Sequence, residues 1–350
     1  MAGYFPKHCF AVFGRHGDER CSRVPRHRAQ VLFAQQPLST GMAKIDLICV
    51  GEPLFELSNV GPGQWQSGIG GDISNVAVAA ARQGVRSAIV SFLGDDPFGS
   101  EIRNFWSMEG VNDDYVETLP DGQTGLYLIT HDKGEHHFEY RRAGSAASQL
   151  GPEHLRDAIF QNVPIVHLSG ISQAISQTAR AATEKAIEKT KLSGGRVSYD
   201  PNLRLKLWPL QQARRVILET IKKVDILLPG LDDSRVLTGL EQPVDIIRYY
   251  KDLGPSIIAL TMGEEGVLVS FQDEVRHIPA PKVEAVDASG AGDCFDGTFL
   301  SQLIEGRTVS EAAIFAASAA ALSVQGHGAA KSIPKREAVL ALLQHAGGKM

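Results

Sequence analysis

The stretch Asp287-Ala288-Ser289-Gly290-Ala291-Gly292-Asp293 is the most informative part of this chain, and an apolar-rich run over residues 294–300 follows it directly. Small residues and glycines before an apolar run indicate a strand end, a tight turn and the start of a helix. Asp293 then falls on the first turn of that helix. The alternative is an ordinary glycine turn that caps a helix, since glycine and aspartate are common in turns and caps.

This turn has the groups that a phosphate needs. A helix N-terminus offers unpaired backbone N–H groups and the positive end of the helix dipole. Glycine lets the backbone approach a ligand closely, so we expect Gly290, Ala291 and Gly292 to form an anion hole. Asp293 lies beside it, where a carboxylate can take a proton from an attacking hydroxyl. The stretch therefore predicts a phosphoryl-transfer site with Asp293 as the catalytic base.

The composition is that of an ordinary globular protein. The 350 residues are 43% hydrophobic, and the net charge of −5 gives no general case for nucleic-acid binding. No apolar run approaches the roughly 20 residues that span a bilayer, so we expect neither a nucleic-acid nor a membrane partner. No Cys-x-x-Cys pair occurs, which favours a reducing cytoplasm over a disulfide framework or a zinc site. The cysteines are Cys9, Cys21, Cys49 and Cys294.

Residues 1–41 differ from the rest of the chain. They carry six Lys and Arg residues against two acidic residues, a net charge of +4, and they lack a sustained apolar periodicity. We expect a disordered extension or a start codon assigned too early, with a basic targeting arm as the alternative. Met42 leads directly into an apolar strand, so the main domain is predicted to span residues 42–340.

Strands and helices alternate along that domain, which predicts a doubly wound α/β sheet. The predicted strands lie at 45–52, 87–94, 165–168, 197–200, 226–228, 257–261, 267–271 and 275–278. The predicted helices lie at 73–83, 99–108, 176–192, 209–223, 232–237, 243–253, 293–305 and 310–324. A β-hairpin at 124–130 and 136–141, with strand-like residues near 55–68, predicts a second, smaller sheet.

Two further stretches carry candidate ligand-binding groups. Gly70-Gly71-Asp72-Ile73-Ser74-Asn75 precedes a helix, at the end of a strand where ligands gather in this fold class. A helix cap is the alternative reading. In Tyr140-Arg141-Arg142 the strand period places Tyr140 and Arg142 on one face and leaves Arg141 to solvent. An arginine on the ligand side can hold a carboxylate through two parallel N–H bonds.

The stretches at 70–75 and 287–293 resemble the N-terminal and C-terminal signatures of the ribokinase-like (PfkB) sugar kinases, and the resemblance covers about residues 45–334. It implies a Rossmann-like α/β domain with a small β-sheet lid formed from about 53–69 and 124–142. It also implies ATP and Mg²⁺ as cofactors, allows for a monovalent cation, and suggests a homodimer through the lid. The matching aspartate of the family, here Asp293, is the catalytic base. The family usually has a Thr-Thr pair where this chain has Ala288-Ser289.

The substrate residues follow from the same resemblance. Asp72 after the two glycines, and Tyr140-x-Arg142 before an Ala-rich turn, look like the 2-keto-3-deoxygluconate kinases, in which the arginine contacts the acidic sugar. Asp200-Pro201-Asn202-Leu203-Arg204 resembles a stretch shared by fructokinases and 2-keto-3-deoxygluconate kinases. The substrate-binding residues implied are Gly71, Asp72, Asn75, Tyr127, Tyr140, Arg142, Arg204 and Asp293.

The nucleotide residues are likewise implied by resemblance. The stretch at 261–266 is similar to the loop Lys-x-Gly-x-x-Gly, with Thr261 in place of the lysine. Residues 228–233 take the place of Asn-x-x-Glu, with Gly230 for the amide and Asp233 for the acid that assists Mg²⁺ indirectly. The ATP-binding residues implied are Asn202, Arg204, Thr261, Gly263, Gly266, Gly290 and Gly292. A metal site at His131, His136 and His137 is not favoured, because no carboxylate spacing accompanies them.

The expected function is ATP-dependent phosphorylation of the terminal hydroxyl of 2-keto-3-deoxygluconate. Phosphorylation of a neutral ketohexose, fructose or tagatose, is the first alternative. A non-catalytic sugar-binding regulator on the same fold is the second, and the retained Asp293 and anion-hole glycines argue against it.

Overall fold

A computed structural model describes residues 44–132 and 135–347, and the predictions made for residues 1–41 lie outside them. The strands are β1 (Leu47–Val50), β2 (Leu54–Gly61), β3 (Gln64–Gly70), β4 (Ser87–Gly94), β5 (Asn112–Leu119), β6 (Leu126–Asp132), β7 (Glu135–Arg141), β8 (Ile165–Ser169), β9 (Arg196–Asp200), β10 (Ile226–Leu227), β11 (Ile257–Thr261), β12 (Val267–Phe271) and β13 (Glu274–Ile278).

The α-helices are α1 (Asp72–Arg82), α2 (Pro97–Glu109), α3 (Asp157–Phe160), α4 (Gly170–Ala174), α5 (Gln177–Leu192), α6 (Leu210–Ile221), α7 (Leu231–Thr238), α8 (Pro243–Leu253), α9 (Ala291–Ile304), α10 (Val309–Ser323) and α11 (Arg336–Gly347). Among the described residues, no helix is both long and apolar enough to span a membrane.

The main sheet has nine strands in the order β13-β12-β11-β10-β9-β8-β1-β4-β5. The seven strands from β11 to β5 pair in parallel, and β12 and β13 add an antiparallel hairpin at one edge. The chain runs outward from β1 in one direction to β4 and β5, and later in the other direction from β8. The order therefore reverses between β1 and β8, and ligands of open α/β sheets bind at the carboxyl ends of the strands at such a point.

Helices cover both faces of this sheet, as the continuous burial of its central strands β1, β4 and β8 requires. Leu47 and Cys49 of β1 belong to the core that also contains residues of α1, α9 and α10. Ile48 and Val50 belong to the core on the opposite face, with residues of α5, α6 and α8. The predicted doubly wound architecture is confirmed.

The second sheet has the strand order β3-β2-β6-β7, and we call these four strands the lid. Two hairpins build it, β2–β3 and β6–β7, and the parallel pairing of β2 with β6 joins them. The predicted second, smaller sheet is confirmed, and its strands lie within residues 54–70 and 126–141.

Four elements were not predicted, namely β5, α3, α4 and α11. α3 and α4 have only four and five residues, too few to show a helical period in the sequence. β5 has the sequence Asn-Asp-Asp-Tyr-Val-Glu-Thr-Leu, whose acidic residues hide the strand pattern. An edge strand tolerates such charges because one of its sides faces solvent. α11 follows the last motif of the sequence and comes after Pro334 and Lys335, not after a Ser, Thr, Asp or Asn N-cap residue.

Candidate active site

The turn before α9 adopts the conformation that its glycines were expected to allow. Gly290 is the N-cap in the left-handed region, with φ of 73°. The N–H of Ala291 is bonded to the carbonyl of Ala288 at 3.2 Å. The N–H groups of Gly292 and Asp293 have no acceptor within the described part of the chain. Of the predicted anion hole of Gly290, Ala291 and Gly292, the N–H of Ala291 is thus occupied. The unpaired N–H groups of Gly292 and Asp293, at the start of a 14-residue helix, are the ones that suit a phosphate oxygen.

Asp293 is held by the second predicted motif. The side-chain amide of Asn75 on α1 donates a hydrogen bond of 2.7 Å to its Oδ2. Burial and the negative charge of Asp72 raise the pKa of Asp293 to about 7, although the Asn75 bond and the charge of Arg204 favour the ionised form. A carboxyl group with a pKa near neutrality is suited to accept a proton at physiological pH. Asn75 and Asp293, which are 218 positions apart in the sequence, are thus in contact, as expected if the two motifs form one site.

Asp72 is the first residue of α1, and Gly71 is the N-cap before it. Gly71 has φ of 90°, and a Cβ there would lie 2.6 Å from the carbonyl oxygen of Glu52. Only glycine fits this turn, which brings Asp72 to the reversal point of the sheet. The Asp72 carboxylate accepts a hydrogen bond from the hydroxyl of Ser169, the last residue of β8.

The lid contributes aromatic rings and an arginine. Tyr127 and Tyr140 are paired across β6 and β7, with ring centroids 5.7 Å apart. The guanidinium of Arg142 lies 5.7 Å from the centre of the Tyr140 ring, as the strand period predicts. Arg141 points to solvent and pairs with the exposed Glu139 at 2.5 Å. Tyr127 donates a hydrogen bond to the buried Glu56, and burial raises the pKa of both groups.

The loop after β9 and the first turn of α7 form a charged group. Asn202 has φ of 35°, and its N–H is bonded to Oδ1 of Asp200 at 2.9 Å. Oδ2 of Asp233 accepts the N–H of Leu203 at 2.8 Å and lies 3.9 Å from Nη1 of Arg204. Burial raises the pKa of Asp200 and of Asp233, whereas the charge of Arg204 opposes both shifts. Arg204 therefore supplies positive charge beside the carboxyl groups of Asp200 and Asp233.

The predicted nucleotide loop follows β11, the strand next to β10 in the main sheet. A single 3-10 turn spans Gly263–Glu265, and the N–H of Met262 is bonded to the carbonyl of Gly266 at 2.8 Å. Gly263 and Gly266 have φ of 58° and 96°, so both glycines are required by the turn. Thr261 ends β11 and bridges to Gly230, which places the loop beside the N-terminus of α7.

The described residues offer no group of three or more His, Cys, Asp or Glu side chains arranged to hold a metal ion. One carboxylate, that of Asp233, is partly accessible beside Arg204. A single carboxylate fits Mg²⁺ that is held mainly by nucleotide phosphates and water. The side chains of His131 and His136 lie outside the described residues, and His137 is exposed. Dependence on a monovalent cation remains a prediction.

A cavity of about 1240 Å³ opens between the lid, α2 and the loop 326–332. Glu56 and Ile129 line its lid side, and Asp287 and His327 line the side of the main domain. The cavity reaches Asp287, the first residue of the anion-hole motif, which bonds to the N–H groups of Ser289 and Gly328.

Several residues at the site were missed from the sequence. Glu52 and Glu56 are buried carboxyl groups at the base of the lid and on it. Asp296 lies one turn after Asp293, is 2% exposed, and has an Oδ2 atom without a hydrogen-bond partner. Burial raises the pKa of Asp296 well above its usual value. Asp200 stood in a quoted motif and Asp296 within the apolar-rich run at 294–300, where an acidic residue among apolar ones is the signal that could have revealed it.

Comparison with known proteins now identifies the class. The model of the pfkB family carbohydrate kinases matches residues 35–336. A 2-dehydro-3-deoxygluconokinase of Thermoproteus tenax is 33% identical over 308 residues, which cover 85% of this chain and 94% of the relative. Fructokinase-1 of Oryza sativa subsp. japonica is 32% identical over 288 residues, covering 79% and 88%.

The fold has solved counterparts. The fructokinase of Vibrio cholerae O395, in a form with bound fructose, ADP and calcium, superposes with a TM-score of 0.78. It is 26% identical, and the match covers 85% of this chain and 98% of that one. This chain therefore belongs to the pfkB family of carbohydrate kinases.

Proposed function

We propose that this kinase transfers the γ-phosphoryl group of ATP to the terminal hydroxyl of 2-keto-3-deoxygluconate. The observation that carries the proposal is Arg142, a lid arginine about nine-tenths buried, whose Nη1 has no acceptor within the described part of the chain. A buried guanidinium with N–H groups to spare suits a planar carboxylate. The Thermoproteus tenax relative supports a sugar acid as the substrate.

Asp293 is the base in this mechanism. Its carboxylate accepts the proton of the sugar's terminal hydroxyl while the hydroxyl oxygen attacks the γ-phosphorus and the bond to ADP breaks. Asn75 fixes the carboxylate through the 2.7 Å bond. Phosphoryl transfer needs alignment and charge stabilisation more than covalent catalysis.

The anion hole stabilises charge on the transferring phosphoryl oxygens through the N–H groups of Gly292 and Asp293. Arg204, whose charge acts on Asp293 and which lies 3.9 Å from Asp233, adds positive charge near the transferred group. Mg²⁺, when bound with ATP, neutralises negative charge on the phosphates, and Asp233 is the residue that would assist it. Closure of the lid over the sugar would exclude water from the reacting groups.

A panel of sugars in a coupled ADP-release assay tests the substrate. The expected result is that kcat/KM for 2-keto-3-deoxygluconate exceeds that for fructose and tagatose. Arg142→Ala should lower kcat/KM for the acid by about 10–150-fold, because a hydrogen bond to a charged group contributes about 1.5–3 kcal/mol. Arg141→Ala, at the adjacent residue that ends β7, is the matched control and should change kcat/KM little, since that side chain is exposed.

A neutral ketohexose is the second candidate substrate, and one observation favours it. The charge of Arg142 is already balanced by Glu52, so the site does not require an anionic ligand for neutrality. A preference for fructose or tagatose, or an equal loss with acidic and neutral sugars in Arg142→Ala, would replace the sugar acid by a ketohexose. Absence of any ADP release would favour a sugar-binding regulator.

The proposal includes a homodimer formed through the lid. Val60 on β2 and Trp65 on β3 are 57% and 43% exposed, and pairing of two lids would cover this apolar surface. Sedimentation equilibrium should give a dimer for the wild type. A monomer at micromolar concentration would contradict this part.

A further inference from the structure

Glu52 is fully buried although it carries a carboxyl group, and the mechanism above does not use it. It lies in the short connection between β1 of the main sheet and β2 of the lid. A buried carboxylate is costly unless charged and hydrogen-bonding partners surround it. The partners of Glu52 therefore show what the residue does.

Both carboxylate oxygens are engaged by residues that follow β7. Oε2 accepts a hydrogen bond of 2.7 Å from Nε of Arg142, and Nη2 of the same arginine is in close contact with that oxygen. Oε1 accepts a hydrogen bond from the hydroxyl of Ser145. Glu52 lies where the chain passes from the main sheet into the lid, and these bonds connect it to the segment in which the chain leaves the lid.

Two glycines bring the other crossings to the same place. A Cβ at Gly125, just before β6, would lie 2.9 Å from Oε1 of Glu52, and one at Gly71, just after β3, would lie 2.6 Å from its carbonyl oxygen. The chain passes between the two sheets near residues 52, 71, 125 and 142. Glu52 is in contact with, or is itself part of, all of these crossings.

This pairing orients Arg142. Nε and Nη2 point at one oxygen of Glu52, and since Nε occupies it, Nη2 is left buried without an aligned acceptor. Nη1 makes no bond to any described residue. The guanidinium is planar and its donors diverge in a fixed fork. Fixing one edge on Glu52 thus fixes the direction of the remaining N–H groups.

We propose that Glu52 is a positioning residue for sugar recognition. Glu52 holds the guanidinium of Arg142 so that the unused N–H groups of the arginine face the bound sugar. Because Glu52 and Arg142 meet at the place where the four crossings come together, the position of the lid and the orientation of Arg142 are linked. The inference rests on the proposed function in one respect, namely that Arg142 contacts the substrate.

Glu52→Gln is the first test, because it keeps the shape and removes the charge that orients Arg142. The expected result is a rise of at least tenfold in KM for the preferred sugar, with kcat and the KM for ATP each changing less than threefold. Glu139→Gln is the matched control: it removes the carboxylate of the exposed pair with Arg141 on the same strand, and it should leave the KM unchanged.

A double-mutant cycle separates positioning from stability alone. If Glu52 acts through Arg142, then Glu52→Gln in an Arg142→Ala background should raise the sugar KM less than twofold further. Additive effects, or a lowered Tm with an unchanged KM in the single variant, would overturn the proposal. Should Glu52→Gln fail to fold, Ser145→Ala frees one carboxylate oxygen and is expected to raise the sugar KM by a smaller factor; an unchanged KM there has the same overturning force.

The cycle also separates this proposal from the substrate assignment. It is measured with whichever sugar the wild type prefers, acidic or neutral. A wild type that prefers fructose contradicts the sugar-acid assignment, yet non-additivity between positions 52 and 142 would still support Glu52 as the positioning residue.

Discussion

Replacing Asp293 by Asn should nearly abolish turnover and, above pH 7, stabilise the fold. Asn keeps the size of the side chain and an acceptor for the Asn75 amide, but it cannot take the proton of the sugar hydroxyl. General-base catalysis typically contributes about 10²–10⁴-fold, so kcat should fall by that factor. ATP binding should be nearly unchanged, because the N–H groups of the anion hole belong to the backbone.

The pKa of Asp293 gives this prediction its pH dependence. In the wild type kcat/KM should fall about tenfold between pH 8 and pH 6, because a base with a pKa of about 7 is mostly protonated at the lower pH. The raised pKa also means that the folded state favours the neutral acid. The contribution of Asp293 to the free energy of unfolding is therefore fully present below its ordinary pKa of 3.8 and is lost as the pH rises through about 7.

The size of the stability effect follows from the two values. The difference between 3.8 and about 7 corresponds to at most about 4 kcal/mol, reduced by the solvent that reaches this half-buried carboxylate. Asp293→Asn should therefore be more stable than the wild type at pH 8, and the gain should shrink toward pH 4.

Urea unfolding at pH 4, 6 and 8, with ADP release at saturating ATP, measures both effects. Asp296→Asn is the matched control, since it makes the same change at a buried carboxyl one turn later on α9. It should retain a kcat within severalfold of the wild type. Retention of more than half the activity in Asp293→Asn would refute its role as the base. A folded variant that is less stable than the wild type at pH 8 would refute the pKa argument.

Asn75→Leu removes a hydrogen bond to the ionised form of Asp293, so the acid limb of the kcat/KM profile should move to higher pH; an unmoved limb would contradict that bond. Gly297→Ala should lower the Tm by several degrees, because its Cβ would overlap the carbonyl oxygen of Val76 where α9 crosses α1. Gly292→Ala is the opposite case: its Cβ meets nothing within 4 Å, so the Tm should hold while kcat/KM for ATP falls, and an unchanged value would argue against a phosphate at this turn. Deletion of residues 1–41 should leave both Tm and specific activity nearly unchanged, and a large drop in either would show that the segment packs on the domain.

The parts of the site that the sequence predicts are those in which local pattern and chemistry coincide. Gly290 and Asp293 stand together in one turn, and their roles follow from what a helix N-terminus can bind. Asn75 lies in a second turn of the same kind. The alternation of strands and helices between them indicates parallel strands, whose carboxyl ends bring both turns to one edge.

The partners of these residues could not be predicted, because they depend on packing across the two sheets. Glu52 follows a strand and a glycine, which is an ordinary place for an exposed acid, and nothing local shows that Arg142 will reach it. The burial of Asp296 could not be predicted either, since it arises from the packing of α9 on α1. β5 was missed because its acidic residues suit an edge of the sheet, a position that only the full strand order defines.

The construction of the lid from two separate hairpins has a consequence for how the molecule folds. β2–β3 and β6–β7 are about 60 residues apart in sequence, and the parallel pairing of β2 with β6 is their link. An isolated two-stranded hairpin is at best marginally stable in water, so neither half should persist until the main sheet has brought them together. We expect the lid to form late and to open as a unit well below the free energy of global unfolding. In native-state hydrogen exchange, the amides of β2 and β6 should exchange together, and before those of β1 and β8.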